Sequence, residues 1–171
     1  MSDPAAGLPP GTEIRLLGPD DWRTWREIRL RSLADAPDAF SSTLERERAF
    51  DEAVWRQRLE SVSVVVTVGG EPVALGGGFR VREGWMQVIA MWTDPAYRRR
   101  GLSLAVLDVV VAAARAEGLR LVLDVAQGNP GARAVYEGYG FEATGESEPI
   151  RPGSPDRADL MTLPEPATRH G

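Results

Sequence analysis

The sequence contains no cysteine and no lysine, and its single histidine is His170, the penultimate residue. The absence of cysteine excludes disulfide bridges, thiolate metal sites and cysteine nucleophiles. A Ser-His-Asp triad or a histidine zinc site needs a histidine held inside the fold, whereas a residue so near a terminus is usually frayed. We therefore expect no bound metal and no hydrolase chemistry of these kinds.

An excess of positive charge and long apolar runs are also missing. The 20 arginines are outnumbered by 25 acidic residues, which leaves a formal net charge of −5. Such a chain has no net positive field to draw it to nucleic acid or to an anionic membrane surface. No apolar run approaches the length of a membrane helix, and no basic segment precedes an apolar stretch near the N-terminus, so we predict a cytoplasmic protein.

The length of 171 residues and the hydrophobic content of 43% are typical of one folded domain. Both ends are rich in proline, alanine and glycine. We therefore predict flexible tails at residues 1–11 and 164–171 around a single domain at residues 12–163.

Hydrophobic periodicity predicts an α+β protein with one mixed β-sheet flanked by helices, in the order β-α-α-β-β-β-α-β-α-β-β. Strands are expected at residues 13–17, 62–68, 73–82, 85–93, 119–126, 141–147 and 157–163, and helices at 22–33, 51–59, 102–117 and 130–139. The helix at 102–117 is apolar around most of its circumference, which predicts burial on two sides. Three consecutive glycines at 76–78 indicate either a bulge with a close backbone approach or a flexible kink.

A basic turn between the third central strand and the long apolar helix carries the clearest chemical signal. It reads Arg98-Arg99-Arg100-Gly101-Leu102-Ser103. Free N–H groups at a helix N-terminus bind anions, and Gly101 lets a phosphate approach the main chain. Taken alone, an arginine triplet is more often a solvated turn that caps a helix. A second motif favours the anion site.

That second motif lies downstream and reads Asn129-x-x-Ala132-x-x-Val135-Tyr136, followed by Gly140-Phe141. Together with Arg98-x-x-Gly101-x-Ser103 it resembles the signature of the GNAT superfamily of acetyl-coenzyme A-dependent N-acetyltransferases. Ser103 departs from the glycine or alanine usual in the family, but serine is small and can donate a hydrogen bond. The resemblance spans residues 14–163 and implies a GNAT-like acyl-CoA N-acyltransferase fold.

The resemblance also implies roles for individual residues, with acetyl-CoA as the co-substrate. The residues expected to bind it are Met91, Trp92, Thr93, Arg98, Arg99, Arg100, Gly101, Leu102, Ser103, Asn129, Ala132 and Tyr136. Asn129 would contact the pantetheine arm, and Tyr136 would be the acid that protonates the departing thiolate. Without the resemblance, Asn129 would be a plain helix cap and Tyr136 a core aromatic.

The resemblance leaves the general base open. Some family members carry a glutamate on the third meander strand, where this chain has Gln87, which cannot act as a base. Others have an acid five residues before the motif asparagine, and here that residue is Asp124. A lone acid among apolar residues is a candidate for a raised pKa, although a strand-end aspartate bonded to backbone or arginine fits the same pattern. Glu83 is a weaker candidate.

The implied activity is transfer of an acetyl group from acetyl-CoA to a primary amine, on a small molecule or a peptide or protein N-terminus, by direct attack in a ternary complex. A non-catalytic acyl-CoA-binding sensor with a degenerate transferase fold is the alternative. The acceptor would lie between residues 22–50 and 148–157, and the net acidic charge favours polyamine-like, aminoglycoside-like or N-terminal acceptors over anionic amino acids. The identity of the amine and the formation of a homodimer are left open.

Overall fold

A computed structural model describes residues 7–166 as one mixed sheet with helices on both faces. The strands are β1 (Thr12–Leu16), β2 (Val62–Val68), β3 (Glu71–Arg82), β4 (Trp85–Thr93), β5 (Arg120–Ala126), β6 (Glu142–Pro149) and β7 (Arg157–Leu163). The helices are α1 (Trp22–Asp35), α2 (Leu44–Arg48), α3 (Glu52–Arg58), α4 (Leu102–Ala116) and α5 (Pro130–Tyr139). Short 3₁₀ turns lie at Pro19–Asp21, Pro37–Ala39 and Pro95–Tyr97.

The strand order is β1-β2-β3-β4-β5-β7-β6, and every neighbouring pair is antiparallel except β4 and β5, which are parallel. This architecture confirms the predicted α+β mixed sheet. It adds α2, which was not predicted because it has only five residues inside a polar loop. The side chain of Thr43 caps this helix by accepting a hydrogen bond from the Arg46 N–H, so a capping signal was present.

The two faces of the sheet carry two separate hydrophobic cores. On β2, Val64 and Val66 pack on the side of α4 and α5, whereas Val65 packs on the side of α1 and α3. Fully burying such a side chain stabilises the fold by about 1.5–3 kcal/mol. The largest fully buried side chain is Trp55, on the α1 and α3 side.

Helix α4 lies on one face of the sheet and is not enclosed on two sides as predicted. Its inner positions are buried, while Leu104, Asp108 and Ala112 form an exposed outer stripe. The stripe follows helical spacing, but alanine and leucine at two of its positions hide it in the sequence. The tails predicted at residues 1–11 and 164–171 fall partly outside the described residues. In the described part of the N-terminal tail, Leu8 packs against the core beside α4.

The three glycines of β3 mark a close approach, not a flexible kink. A Cβ on Gly77 would overlap the Val62 carbonyl oxygen, and one on Gly76 would overlap the Met91 sulfur. The register between β3 and β4 shifts beside Gly76, where Ala90 of β4 has a positive φ of 61°. The glycines therefore admit a β-bulge in β4.

This bulge accompanies a separation of β4 from β5. The two parallel strands pair only over Trp85–Gln87 and Arg120–Val122, near their N-terminal ends. Beyond Gln87 the two strands form no further pairs, so the second half of β4 has no β5 partner. This separation positions the site described next.

Candidate functional site

The turn after β4 leaves several backbone N–H groups without a protein acceptor. Arg99 and Gly101 have positive φ values of 62° and 82°, and Gly101 is the N-cap of α4. The backbone hydrogen bonds of α4 begin with the Ala105 N–H donating to the Gly101 carbonyl oxygen. The N–H groups at positions 101–104 therefore have no acceptor among the described residues, and with the helix dipole they favour a bound anion.

Arg98 braces this turn instead of projecting freely from it. Its Nε donates to the carbonyl oxygen of Thr93 at 3.0 Å, and its Nη2 donates to Asp35 Oδ2 at 2.8 Å. The same carboxylate oxygen accepts a hydrogen bond from the Trp92 indole N–H at 2.9 Å. Asp35 thereby ties α1 to the end of β4 and to the basic turn.

Ser103 has a specific partner that accounts for the hydroxyl at this position. Its Oγ lies 3.0 Å from the Oγ1 of Thr93, at hydrogen-bond distance. The pair links the first turn of α4 to the last residue of β4. The departure from glycine or alanine is thus accommodated by a contact inside the turn.

A cavity of about 640 Å³, here the first cavity, opens beside the turn and the second half of β4. Its lining includes Met91, Trp92, Thr93, Arg98, Arg99, Gly101, Leu102, Ser103, Asn129, Ala132 and Tyr136. These are all the residues expected to bind acetyl-CoA except Arg100, which does not line the cavity and lies over the Tyr97 ring at 5.6 Å. Elements distant in sequence therefore meet at one opening.

Asn129 and Tyr136 enter the first cavity from α5. The Oδ1 of Asn129 accepts from the Ala132 N–H at 3.1 Å, so this side chain does cap the helix, while its amide donor makes no hydrogen bond with the described residues. Tyr136 is only 9% exposed and packs edge-on against Phe141. Burial raises the pKa of the Tyr136 hydroxyl, which keeps it protonated, and the hydroxyl has no hydrogen-bond partner within residues 7–166.

A second cavity of about 610 Å³ lies on the α1–α3 side of β4. Ala39 and Phe40 line both cavities, and adjacent residues of the bulge face one each, with Ala90 in the second and Met91 in the first. The cavities therefore adjoin where β4 and β5 separate. Arg151, from the β6–β7 loop, donates to the Phe40 carbonyl oxygen at 3.1 Å and ties that loop across this region.

Asp124 stands on the wall of the second cavity, with Glu148 and Gln87 as neighbours. The Gln87 amide donates to Asp124 Oδ2 at 3.0 Å. Desolvation, followed by the negative charge of Glu148, raises the pKa of Asp124, and the hydrogen bond from Gln87 opposes this only in part. The position that holds glutamate in some relatives thus supplies a donor to the candidate base.

The other candidate base is not brought to this region. Glu83 lies in the β3–β4 turn and lines neither cavity. Asp35 and Glu148 fall in the segments expected to hold the acceptor, but their partners were not predicted, because those partners are more than twenty residues away and no local spacing marks them. Among residues 7–166 no cluster of three His, Asp or Glu side chains could hold a metal ion, and no helix there is long and apolar enough to cross a membrane.

Comparison with known proteins identifies the class. The family model for the acetyltransferase (GNAT) family matches residues 22–141, which is most of the chain, so this protein belongs to that family. The fold and family expected from the two motifs are confirmed. A search of curated protein sequences finds no match.

Two solved structures illustrate the shared fold. A GNAT-family acetyltransferase from Streptococcus pneumoniae superposes with a TM-score of 0.74 at 19% identity, covering 88% of this chain and 98% of that one. YncA from Salmonella typhimurium, solved with its cofactor acetyl-CoA, gives a TM-score of 0.71 at 20% identity, covering 91% of this chain and 96% of that one. At these identities the likeness establishes the fold.

Proposed function

We propose that this protein transfers the acetyl group of acetyl-CoA to a primary amine by direct attack within a ternary complex. The observation that carries the proposal is the junction of two cavities at the β4 bulge. One cavity contains the anion-binding turn, and the other contains the carboxylate of Asp124. Membership of the GNAT family supports acetyl-CoA as the donor.

The residues of the first cavity fit an acyl-CoA. The N–H groups at positions 101–104 suit a pyrophosphate, and Gly101 has no side chain that would occupy the space in front of them. Backbone N–H groups of Met91, Trp92 and Thr93, together with the free amide of Asn129, would hold the pantetheine arm. When bound, acetyl-CoA supplies the reactive thioester.

Asp124 would take a proton from the amine, directly or through water, because an ammonium group has no lone pair with which to attack. A raised pKa makes its carboxylate a stronger base than an ordinary aspartate. A carbon–nitrogen bond then forms as the carbon–sulfur bond breaks. The nitrogen loses two protons in all. One passes to Asp124 or water before the attack, and the second leaves as the tetrahedral adduct collapses and balances the proton that the departing sulfur takes up.

Tyr136 would donate a proton from its hydroxyl to the sulfur, and the proton released from the nitrogen would restore that hydroxyl directly or through water. The side chain lines the first cavity, its hydroxyl has no competing partner in the described chain, and burial keeps it protonated in the ground state. A well-placed proton donor typically contributes about 10²–10⁴-fold to a rate.

The alternative is an acyl-CoA-binding sensor without turnover. The hydrogen bond from Gln87 favours it, since it would also suit an aspartate that only anchors β5. Release of free thiol from acetyl-CoA, measured over a panel of primary amines, separates the two functions. Amine-dependent thiol release with a matching mass shift of the amine supports the transferase. Calorimetric binding of acetyl-CoA without any release of thiol refutes the transferase and supports the sensor.

A further inference from the structure

Arg29, Arg46, Arg58 and Glu47 form a cluster at one end of the second cavity. This end lies at helices α1, α2 and α3. Glu47 is fully buried and accepts from Arg29 twice, from Nε at 3.0 Å and from Nη2 at 2.9 Å. Arg58 Nη1 donates to the same carboxylate at 3.2 Å. Arg46, which also lines this cavity, is exposed and has no ion pair with the described residues.

The cluster carries more positive charge than Glu47 neutralises. Burial would raise the pKa of Glu47, but its bonds and proximity to Arg29 outweigh burial and lower it. Desolvation and the nearby charges of Arg29 and Arg46 lower the pKa of Arg58. Two guanidinium groups therefore share one carboxylate, Arg46 adds a third positive charge near Arg58, and the cavity end is cationic.

Arg29 also retains an unused donor. Arg29 lines the cavity and is only 7% exposed, and its Nη1 is buried without a hydrogen-bond partner. An unsatisfied buried donor is costly, by about 1–3 kcal/mol or more when charged. Its guanidinium lies 4.7 Å from the Phe40 ring, which fixes its orientation at the cavity wall. A bound anion would offset the surplus positive charge of the cluster.

The opposite wall of the same cavity is acidic. Asp124 on β5 and Glu148 on β6 line it, and their mutual repulsion contributes to the raised pKa of Asp124. The second cavity is therefore bipolar, with carboxylates near the separation of β4 and β5 and arginines near the first three helices. A ligand with one cationic and one anionic end matches this polarity.

We propose that the acceptor is an amine that also carries an anionic group, with a carboxylate as the simplest case, bound by Arg46, Arg58 and Arg29 while the amine lies beside Asp124. The inference rests on the proposed transferase function and adds a substrate class to it. Guanidinium groups bind carboxylates and phosphates in the same planar geometry, so the test includes both kinds of anion.

The test compares amines of equal chain length that differ only at the far end. Omega-amino acids from 4-aminobutyrate to 8-aminooctanoate are measured beside the matching alkylamines, diamines and aminoalkylphosphonates, by kcat/KM for thiol release. At the best length an anionic end should raise kcat/KM about ten- to hundredfold over the uncharged end. The diamine of that length should be the poorest substrate, and the ratio of carboxylate to phosphonate identifies the preferred anion.

Two charge reversals on the same helix form the matched controls. Arg46→Glu places a carboxylate in the cavity wall and should lower the preference for the anionic amine about tenfold or more. Arg48→Glu changes the net charge equally, but Arg48 is exposed and lines neither cavity. It should leave the preference unchanged, and thermal melting of both variants verifies that they fold.

The outcomes separate the inference from the function on which it rests. Acetylation without any preference for an anionic end, or an equal response of both variants, overturns the substrate class and leaves the transferase intact. If no amine is acetylated while acetyl-CoA binds, the transferase proposal fails. The same probes are then titrated calorimetrically into protein saturated with coenzyme A, where tighter binding of the omega-amino acid supports the anionic subsite and equal binding refutes it.

Discussion

Substitution of Gly101 by aspartate should abolish acetyl-CoA binding while costing the fold little. Gly101 has φ of 82° and is the N-cap of α4, next to the N–H groups proposed to bind pyrophosphate. A Cβ there would make only an ordinary contact, 3.5 Å from Leu8 Cδ2. The structural cost is therefore limited to backbone strain.

The two magnitudes follow from this geometry. An L-residue in the left-handed region costs about 1–2 kcal/mol, which lowers Tm by about 2–8 °C in a chain of this size. A carboxylate about 4 Å from a phosphate charge costs about 4 kcal/mol at the effective dielectric constant of a protein surface. That energy corresponds to a loss of affinity of about a thousandfold.

Gly118 provides a matched control at the other end of α4. It also has a positive φ, of 69°, and nothing lies within 4 Å of a Cβ built there. Gly118→Asp should therefore reproduce the loss in Tm, because its backbone strain is similar, but leave acetyl-CoA affinity intact. Isothermal titration calorimetry and thermal melting on the same preparations measure both quantities. Acetyl-CoA affinity within about tenfold of the parent in folded Gly101→Asp would refute the turn as the pyrophosphate site.

Three further predictions concern the reaction and the fold. Tyr136→Phe should lower kcat about 10²–10⁴-fold and leave acetyl-CoA affinity nearly unchanged, measured by thiol release and calorimetry, because its proton is needed only as the thiolate departs. Asp124→Asn should remove the acidic limb of the kcat/KM pH profile, a limb that in the parent lies above the usual aspartate range because the pKa of Asp124 is raised. Glu47→Gln should destabilise the fold by about 3–5 kcal/mol in urea titrations, because it leaves Arg29 buried without its counter-charge.

Each of these results has a contrary outcome. An unchanged kcat in Tyr136→Phe, where chemistry limits turnover, would make Tyr136 structural. Because its pKa is raised in the fold, ionised Asp124 opposes folding, and its contribution to stability is lost as pH rises through that pKa. Asp124→Asn should therefore not lower Tm at neutral pH, and a normal Tm with an unaltered pH profile would assign the proton to solvent. A Glu47→Gln protein as stable as the parent would contradict the buried ion pair.

The parts predicted well from the sequence depend on local spacing. The turn at residues 98–103 and the helix cap at Asn129 each lie within one short segment, so residue type and interval determine their geometry. The apolar run of β2 was predictable for the same reason, because a strand covered on both faces loses its alternation. These segments were sufficient to identify the fold and the family.

The contacts that the sequence did not predict join residues far apart in the chain. Arg98 was expected to bind acetyl-CoA and lines the first cavity, but the sequence did not predict that Asp35, 63 residues away, accepts a hydrogen bond from its guanidinium. Nothing near either residue encodes that contact. Likewise Gln87 was set aside as unable to act as a base, and its role as a donor to Asp124 depends on the parallel pairing of β4 with β5. The register of a sheet depends on two strands, so it cannot be predicted from one segment as helix spacing can.

The net charge of the chain does not predict the local charge of the second cavity. The net charge of −5 favoured cationic acceptors, yet the second cavity gathers Arg29, Arg46 and Arg58 at one end. A buried ion pair seldom stabilises a fold more than well-packed apolar residues of similar volume would. Glu47 binds Arg29 and Arg58, but Nη1 of Arg29 stays unpaired. This arrangement stabilises the fold less than a fully paired one would. The arrangement is better explained if Glu47 positions the arginines so that their positive charge faces a ligand. For this reason we favour the acceptor with an anionic group over a polyamine.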